Sequence, residues 1–251
     1  MRHGKGRGTI KKKHTLRHVL LGLTALFMLG LAAFCIFLAV IIMKAPALDL
    51  KDVQPDGYRT TVLDTDGNVA LTLTGEASNR IYVDLAYIPK DLQHAFVALE
   101  DERFYKHPGI DFKGIVRAVW TGVSTGHFNQ GASTITQQLL KNNVLTSWTE
   151  EKTFMDKVER KIQEQYLAVI LEMRTSKDWI LENYLNTINL GGGCWGVETA
   201  SRYYFDKDVS ELTLSECAVL AGITKSPTTY NPLRNPEENA KRRDKIGRAH
   251  V

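Results

Sequence analysis

Residues 19–43 carry no charged side chain, and no other feature limits so strongly what this chain can become. At about 1.5 Å per residue, a helix of that length spans a hydrocarbon core about 30 Å thick. A secretory signal has an apolar region of only about 7–15 residues, so a retained transmembrane helix is expected, even with the small residues of Ala45-Pro46-Ala47 close behind. Arg2, Lys5, Arg7, Lys11, Lys12, Lys13 and Arg17 precede the span with no acidic residue among them. The positive-inside rule then places residues 1–18 in the cytoplasm and everything after Lys44 outside the membrane. Setting those seven cations aside leaves 25 basic against 28 acidic residues. With no basic excess beyond the tail, no nucleic-acid partner is expected. Cys35, Cys194 and Cys217 stand singly and form neither a disulfide framework nor a zinc pattern.

Residues 44–75 read as a connector. Residues 58–63 and 69–73 alternate like strands, and Asp64-Thr65-Asp66-Gly67-Asn68 between them has turn chemistry, which predicts a small β-hairpin. After Pro89 the period becomes helical, with segments near 89–101, 111–125, 134–144, 152–174, 177–186, 195–205, 213–223 and 236–245. The expected class is mostly α. Phe112, Ile115, Val116, Val119, Trp120 and Val123 form an apolar stripe with Lys113 and Arg117 opposite it, and the residues alone favour core packing. Val158, Ile162, Tyr166, Val169 and Met173 are likewise expected as a core stripe. Residues 246–251 fit nothing before them and read as a non-native tail, so the natural chain is expected to continue past Lys245.

Three polar clusters bear the chemistry. In residues 100–109, three carboxylates, two cations and a histidine crowd the end of a helical segment. Glu100 beside that apolar wall is a candidate general base. Residues 130–142 hold a glycine turn, then Thr134 and Gln137 at capping-box spacing. The cap leaves Ser133, Thr136, Gln138 and Lys141 over, the last two on one helical face. Residues 157–164 set Lys157, Arg160 and Glu164 on one face, either an ordinary ion pair or a group able to hold a diphosphate or its metal ion.

Together these residues resemble the peptidoglycan glycosyltransferases of family 51, which occur as monofunctional transglycosylases and at the front of class A penicillin-binding proteins. The first motif resembles Glu100-Asp101-x-x-Phe104-x-x-His107-x-Gly109, and the second Gly131-x-Ser133-Thr134-x-Thr136-Gln137-Gln138-x-x-Lys141-Asn142. The third is similar to Arg160-Lys161-x-x-Glu164, and the fourth to Lys177-x-x-Ile180-Leu181-Glu182-x-Tyr184-Leu185-Asn186. Tyr204-Phe205, the helix at 214–223 and Pro227-x-x-Tyr230-x-Pro232 are similar to later landmarks, so the likeness covers about residues 76–245. A further basic residue before the third motif falls to Lys152 or Lys157.

The resemblance implies a lysozyme-like, two-lobed helical domain. It also implies inverting transfer of a growing glycan strand from its polyprenyl diphosphate onto lipid II, in cell wall synthesis. Glu100 would take the proton of the acceptor 4-hydroxyl. Lys141 and Arg160 would stabilise the departing diphosphate, and Glu164 would hold a divalent cation, Mg or Mn, or position the cations. Asp101, Phe104 and His107 would shape the first motif, while Ser133, Thr134 and Gln138 would meet sugar or phosphate oxygens. Lys177, Glu182, Tyr184 and Asn186 are expected to be mainly structural. Implied partners are lipid II, the glycan strand, the membrane, and cell wall synthesis or division proteins. The stripe at 112–123 would belong to a membrane-associated lobe, with Trp120, Phe128 and Trp148 at the interface. Two other classes stand beside this one. A muramidase or lytic transglycosylase would use its glutamate first as an acid and needs no cations for a diphosphate. A non-catalytic membrane scaffold would have no use for the charged motif positions.

Overall fold

The computed structural model describes residues 7–58, 60–73, 79–126, 131–146 and 150–248. The chain divides into two units, Met1–Ala45 and Pro46–Val251. The first unit is one helix, α1 (Arg7–Met43). Its stretch Arg17–Met43 has a mean hydropathy of 2.9 and is long and apolar enough to cross a membrane. Side chains such as Leu26, Phe27 and Leu29 stand exposed along it.

The second unit opens with a single turn, α2 (Leu50–Val53), capped by the Asp49 carboxylate on the Lys51 amide. The expected hairpin follows. Strands β1 (Thr60–Leu63) and β2 (Val69–Leu73) pair antiparallel, Thr60 opposite Leu73 and Val62 opposite Leu71, with a shift before Leu63. Asp64 closes the turn by accepting from the amides of Asp66 and Asn68, and the β1 side chains face solvent. From there the unit is helical: α3 (Lys90–Glu100), α4 (Phe112–Thr125), α5 (Ile135–Asn143), α6 (Phe154–Arg174), α7 (Lys177–Thr187), α8 (Val197–Phe205), α9 (Leu214–Ile223) and α10 (Pro236–Arg248). These bounds follow the expected segments closely, except that α10 runs through Arg248, past the boundary expected at 245.

The core forms where α5 packs on α6 and α7, α3 on α9, and α9 on α10. Phe96, Leu92, Leu139, Leu140, Ile180, Leu181, Tyr184 and Leu185 are fully buried there. Phe96 and Tyr184 meet edge to face at 6.3 Å, an arrangement aromatic quadrupoles favour. Fixed among these helices, the ends of α3, α5 and α9 set the site.

Two stripes depart from expectation. On α4 the buried positions are Gly114 and Gly122, while Phe112, Val116, Trp120 and Val123 are 67%, 68%, 75% and 71% exposed. The stripe is present, but none of the described residues covers it. On α6 the buried face is Gln163, Glu164, Leu167, Ala168 and Leu171, and the expected core residues Tyr166 and Met173 are exposed. The covered face of α6 therefore includes the charged motif, and it tolerates Glu164 because cations neutralise it. Phe128 and Trp148 lie outside the described residues.

Candidate active site

Glu100 is the last residue of α3. Its carboxylate accepts from the Thr224 hydroxyl on Oε1 at 2.5 Å and from the Gln138 amide Nε2 on Oε2 at 3.1 Å. The fully buried Tyr184 donates its hydroxyl to Gln138 Oε1 at 3.3 Å, which fixes the way that amide faces. Burial pushes the Tyr184 phenol well above its ordinary value, with the charges of Glu100 and Asp101 adding to the effect, so it stays a donor. Gln138, expected at sugar or phosphate oxygens, turns its amide nitrogen to Glu100. A small cleft of ≈ 120 Å³ opens beside Glu100, lined by Arg103, Asp111, Arg117, Gly131 and Ser133 among others.

Asp101 caps the end of α3 and is buried. Its carboxylate takes the amide of Ile135 at 3.0 Å, tying the start of α5 to the end of α3, where the helix N-terminus favours a negative charge. His107 Nε2 lies 2.9 Å from both Asp101 oxygens, and its Nδ1 accepts from the Gly109 amide at 3.2 Å. The proton therefore sits on Nε2. Gly109 has φ 89°, and a Cβ there would stand 2.6 Å from the Ala168 carbonyl. Only glycine lets this loop lie against α6. Thr134 caps α5 through the Gln137 amide and donates to the Gly109 carbonyl at 2.8 Å. The Gln137 side chain also reaches Gly109 at 3.3 Å rather than closing a capping box. The Thr134 hydroxyl, expected at substrate oxygens, is buried and makes these two bonds. Phe104 is fully buried, under the Lys177 ammonium at 4.4 Å from its ring centroid. Asp101, Phe104 and His107 thus brace the Glu100 loop from inside.

The third motif builds a cation cluster. Glu164, only 1% exposed, gives one oxygen to Arg160 and the other to Lys161 at 2.7 Å. Lys161 also donates to Ser133 Oγ at 2.8 Å and Gln137 Oε1 at 3.1 Å, and Arg160 reaches Glu151 as well. Lys141, half-buried, has its ammonium pulled below the ordinary lysine value by burial and then by Arg160, against the opposing pull of Glu164. Burial works against the charge on Arg160 too, but Glu151 and Glu164 carry its guanidinium above the ordinary value. Lys152 and Lys157 are exposed.

Four participants are given no contact with the site residues by the sequence alone. Lys161 and Glu151 belong to the cluster, and the three-residue spacing of Lys161 to Glu164 is the available sign. Tyr184 orients Gln138. Thr224 reaches Glu100 across 124 residues, a pairing no local pattern announces. Glu182 and Asn186 hold the segment before α3, through the amides of Leu85 and Val83. Lys177 pairs with Glu172 and the His107 carbonyl. A divalent cation at Glu164 does not fit the donors present, because both of its oxygens serve cationic side chains. Among the described residues no three His, Cys, Asp or Glu side chains gather as a metal site.

The sequence profile described as Transglycosylase matches residues 66–250. The chain is 42% identical over 237 residues to penicillin-binding protein 1F of Bacillus subtilis, covering 94% of this chain and 31% of that one. It is 44% identical over 220 residues to penicillin-binding protein 1A of Clostridium perfringens, covering 86% and 30%. Against penicillin-binding protein 1A of Neisseria cinerea the identity is 44% over 228 residues, covering 90% and 27%. The chain thus spans about a third or less of the length of these relatives.

Proposed function

The chain belongs to the transglycosylase family, and on that premise we propose that it polymerises lipid II into glycan strands outside the membrane in which α1 anchors it. One observation carries the reading. On α5, Gln138 holds the Glu100 carboxylate, and three residues later Lys141 stands in the field of Arg160, Lys161 and Glu164. Positions three apart lie on one face about 5–6 Å from each other, so α5 sets the residue that holds the proton acceptor of α3 beside the lysine of an anion-stabilising cluster. Transfer from a diphosphate needs both.

In this mechanism the acceptor 4-hydroxyl gives its proton to Glu100 as its oxygen bonds to the donor's anomeric carbon. The bond from that carbon to the polyprenyl diphosphate breaks with its electron pair on the departing oxygen. Lys141, Arg160 and Lys161 meet the developing charge, an electrostatic contribution that is largest when the donors are already in place. Glu164 keeps Arg160 and Lys161 there. The exposed apolar face of α4 suits a lipid surface, where the substrate's polyprenyl tail resides. The basic residues ahead of the apolar stretch of α1 support an extracytoplasmic catalytic unit.

The test is an assay of the purified full-length chain on labelled lipid II. Long strands with release of polyprenyl diphosphate are expected, with intact sacculi left uncut. Lys141→Ala should lower kcat about 10- to 100-fold with a smaller change in KM. Cleavage of sacculi without polymer from lipid II, with Lys141→Ala fully active, would overturn the reading in favour of a hydrolase.

A further inference from the structure

We propose that Thr224 is a positioning residue for the base, a hydroxyl rotor that follows the proton on Glu100. The inference rests on Glu100 being the base of the reaction above. Thr224 Oγ1 lies 2.5 Å from Glu100 Oε1 and 2.9 Å from the Ala221 carbonyl oxygen. A hydroxyl has one hydrogen and two lone pairs, so it donates to one of these acceptors at a time. While Glu100 is a carboxylate, the charge-assisted bond to Oε1 is the stronger of the two. Once the acceptor sugar's proton arrives on Glu100, Oε1 becomes a poor acceptor. The Thr224 hydrogen then turns about its C–O bond to the Ala221 carbonyl. No heavy atom moves, and no proton passes through Thr224.

The other oxygen cannot behave this way. Oε2 faces the Gln138 amide, held as a donor by Tyr184 at its far end. A donor suits only the unprotonated oxygen, so the two neighbours together assign the incoming proton to Oε1. The carbonyl that receives the rotor is already in place, because Thr224 follows α9 directly and Ala221 lies in its last turn.

Charged and titratable groups approach Glu100 from every packed element. Asp101, Glu102 and Arg103 adjoin it in the chain, and Asp111 and Arg117 line the same cleft. Tyr184 comes from α7, and Lys141 lies one turn beyond Gln138 on α5. On the α9 side Lys225 adjoins Thr224, and Arg242 of α10 donates to the Gly222 carbonyl. Thr224→Val removes the neutral donor on Oε1 and leaves all of these groups in the chain, so a change in the pH profile of polymerisation reports the lost hydroxyl.

Losing a donor to the charged form disfavours that form. In the full-length protein, Thr224→Val should move the acid limb of kcat/KM for lipid II polymerisation upward by about one pH unit, so activity below the limb falls about tenfold. Thr224→Ser, which keeps the rotor, should restore the wild-type limb. A Val variant that polymerises more slowly with its limb unmoved, or a Ser variant shifted as far as Val, would overturn the proposal and leave Thr224 a packing residue. If the Val variant does not fold, Thr224→Ala carries the same test. Glu100→Gln run alongside separates the two levels of argument. Retained polymerisation there would remove the base reading itself, whereas an inactive Glu100→Gln with an unmoved Thr224→Val limb defeats the rotor alone.

Discussion

Two glutamates of this site sit in opposite environments. Glu100 is held by neutral donors, a hydroxyl and an amide, while Glu164 is held by a guanidinium and an ammonium. Neutral donors orient a carboxylate and leave it able to take a proton. Cationic partners use both of its oxygens, and without its charge two positive groups would stand side by side in a half-buried place. The motifs present both residues simply as acids on helices, yet their partners suit one to the proposed proton transfer and the other to the proposed holding of charge. The same difference explains why Glu164 makes a poor metal ligand here.

The largest effect should come from breaking the first environment. Glu100→Gln keeps every hydrogen bond: its amide oxygen can accept from Gln138, and its amide nitrogen can donate to Thr224, whose own hydrogen turns to Ala221. Stability should therefore change by less than about 1 kcal/mol, while polymerisation falls on the order of 100-fold or more. Thermal unfolding and lipid II turnover, measured on the same preparation, check both halves. A folded variant with near-wild-type turnover would erase the contrast between the two acids.

Glu164→Gln should do the reverse in kind. Removing one partner of a fully buried pair costs about 3–5 kcal/mol, but the side chains of Arg160 and Lys161 are 20% and 37% exposed. Solvent screening brings the expectation to about 2 kcal/mol. Turnover should drop about tenfold as the cations spread apart. The double variant Glu164→Gln with Lys161→Met relieves the excess positive charge and should recover part of the lost stability, a coupling that a double-mutant cycle reads directly. Equal stability of Glu164→Gln and wild type would show that the cluster holds without its acid.

How much of this is legible in the sequence follows the same line between local and distant partners. Helix positions, the hairpin and the apolar N-terminal span come from periodicity and turn chemistry, which are local. Thr153 and Thr213 complete capping boxes with Asp156 and Glu216, whereas Thr134 completes only half of one, because the Gln137 side-chain oxygen accepts from Lys161 and its amide nitrogen donates to the Gly109 carbonyl. The burial of α4 and α6 is not legible. An apolar stripe tells which face avoids water, and it does not say whether protein or lipid covers that face. On α6 the apolar residues divide between two faces, and the choice between them depends on Lys161 reaching Ser133 and Gln137 across 28 and 24 residues. The motifs name these groups, but the hydrogen bonds of Gln138 and Thr134 depend on partners distant in sequence.

The smallest expected effect comes from a third acid that extends the charge-holding case outside the site. Glu216 opens α9, the helix that ends beside Thr224, and its carboxyl is pulled down to about 2, first by the Lys207 ammonium and then by the Thr213 amide. A folded-state value below the unfolded one, about 4.3 for glutamate, means that the interaction stabilises above that pH and is lost as pH falls toward 2. Lys207 is 37% exposed, so solvent screens the pair and the contribution is modest. Wild type should melt slightly higher than Glu216→Gln at pH 6, and the gap should narrow as both are titrated below pH 4 and close only toward pH 2. Raising the salt concentration should narrow the gap at pH 6 as well, since the pair is near the surface. A gap that widens on acidification would mean that the Glu216 carboxylate is not held by its cation, and that partner charge alone does not sort the acids of this fold.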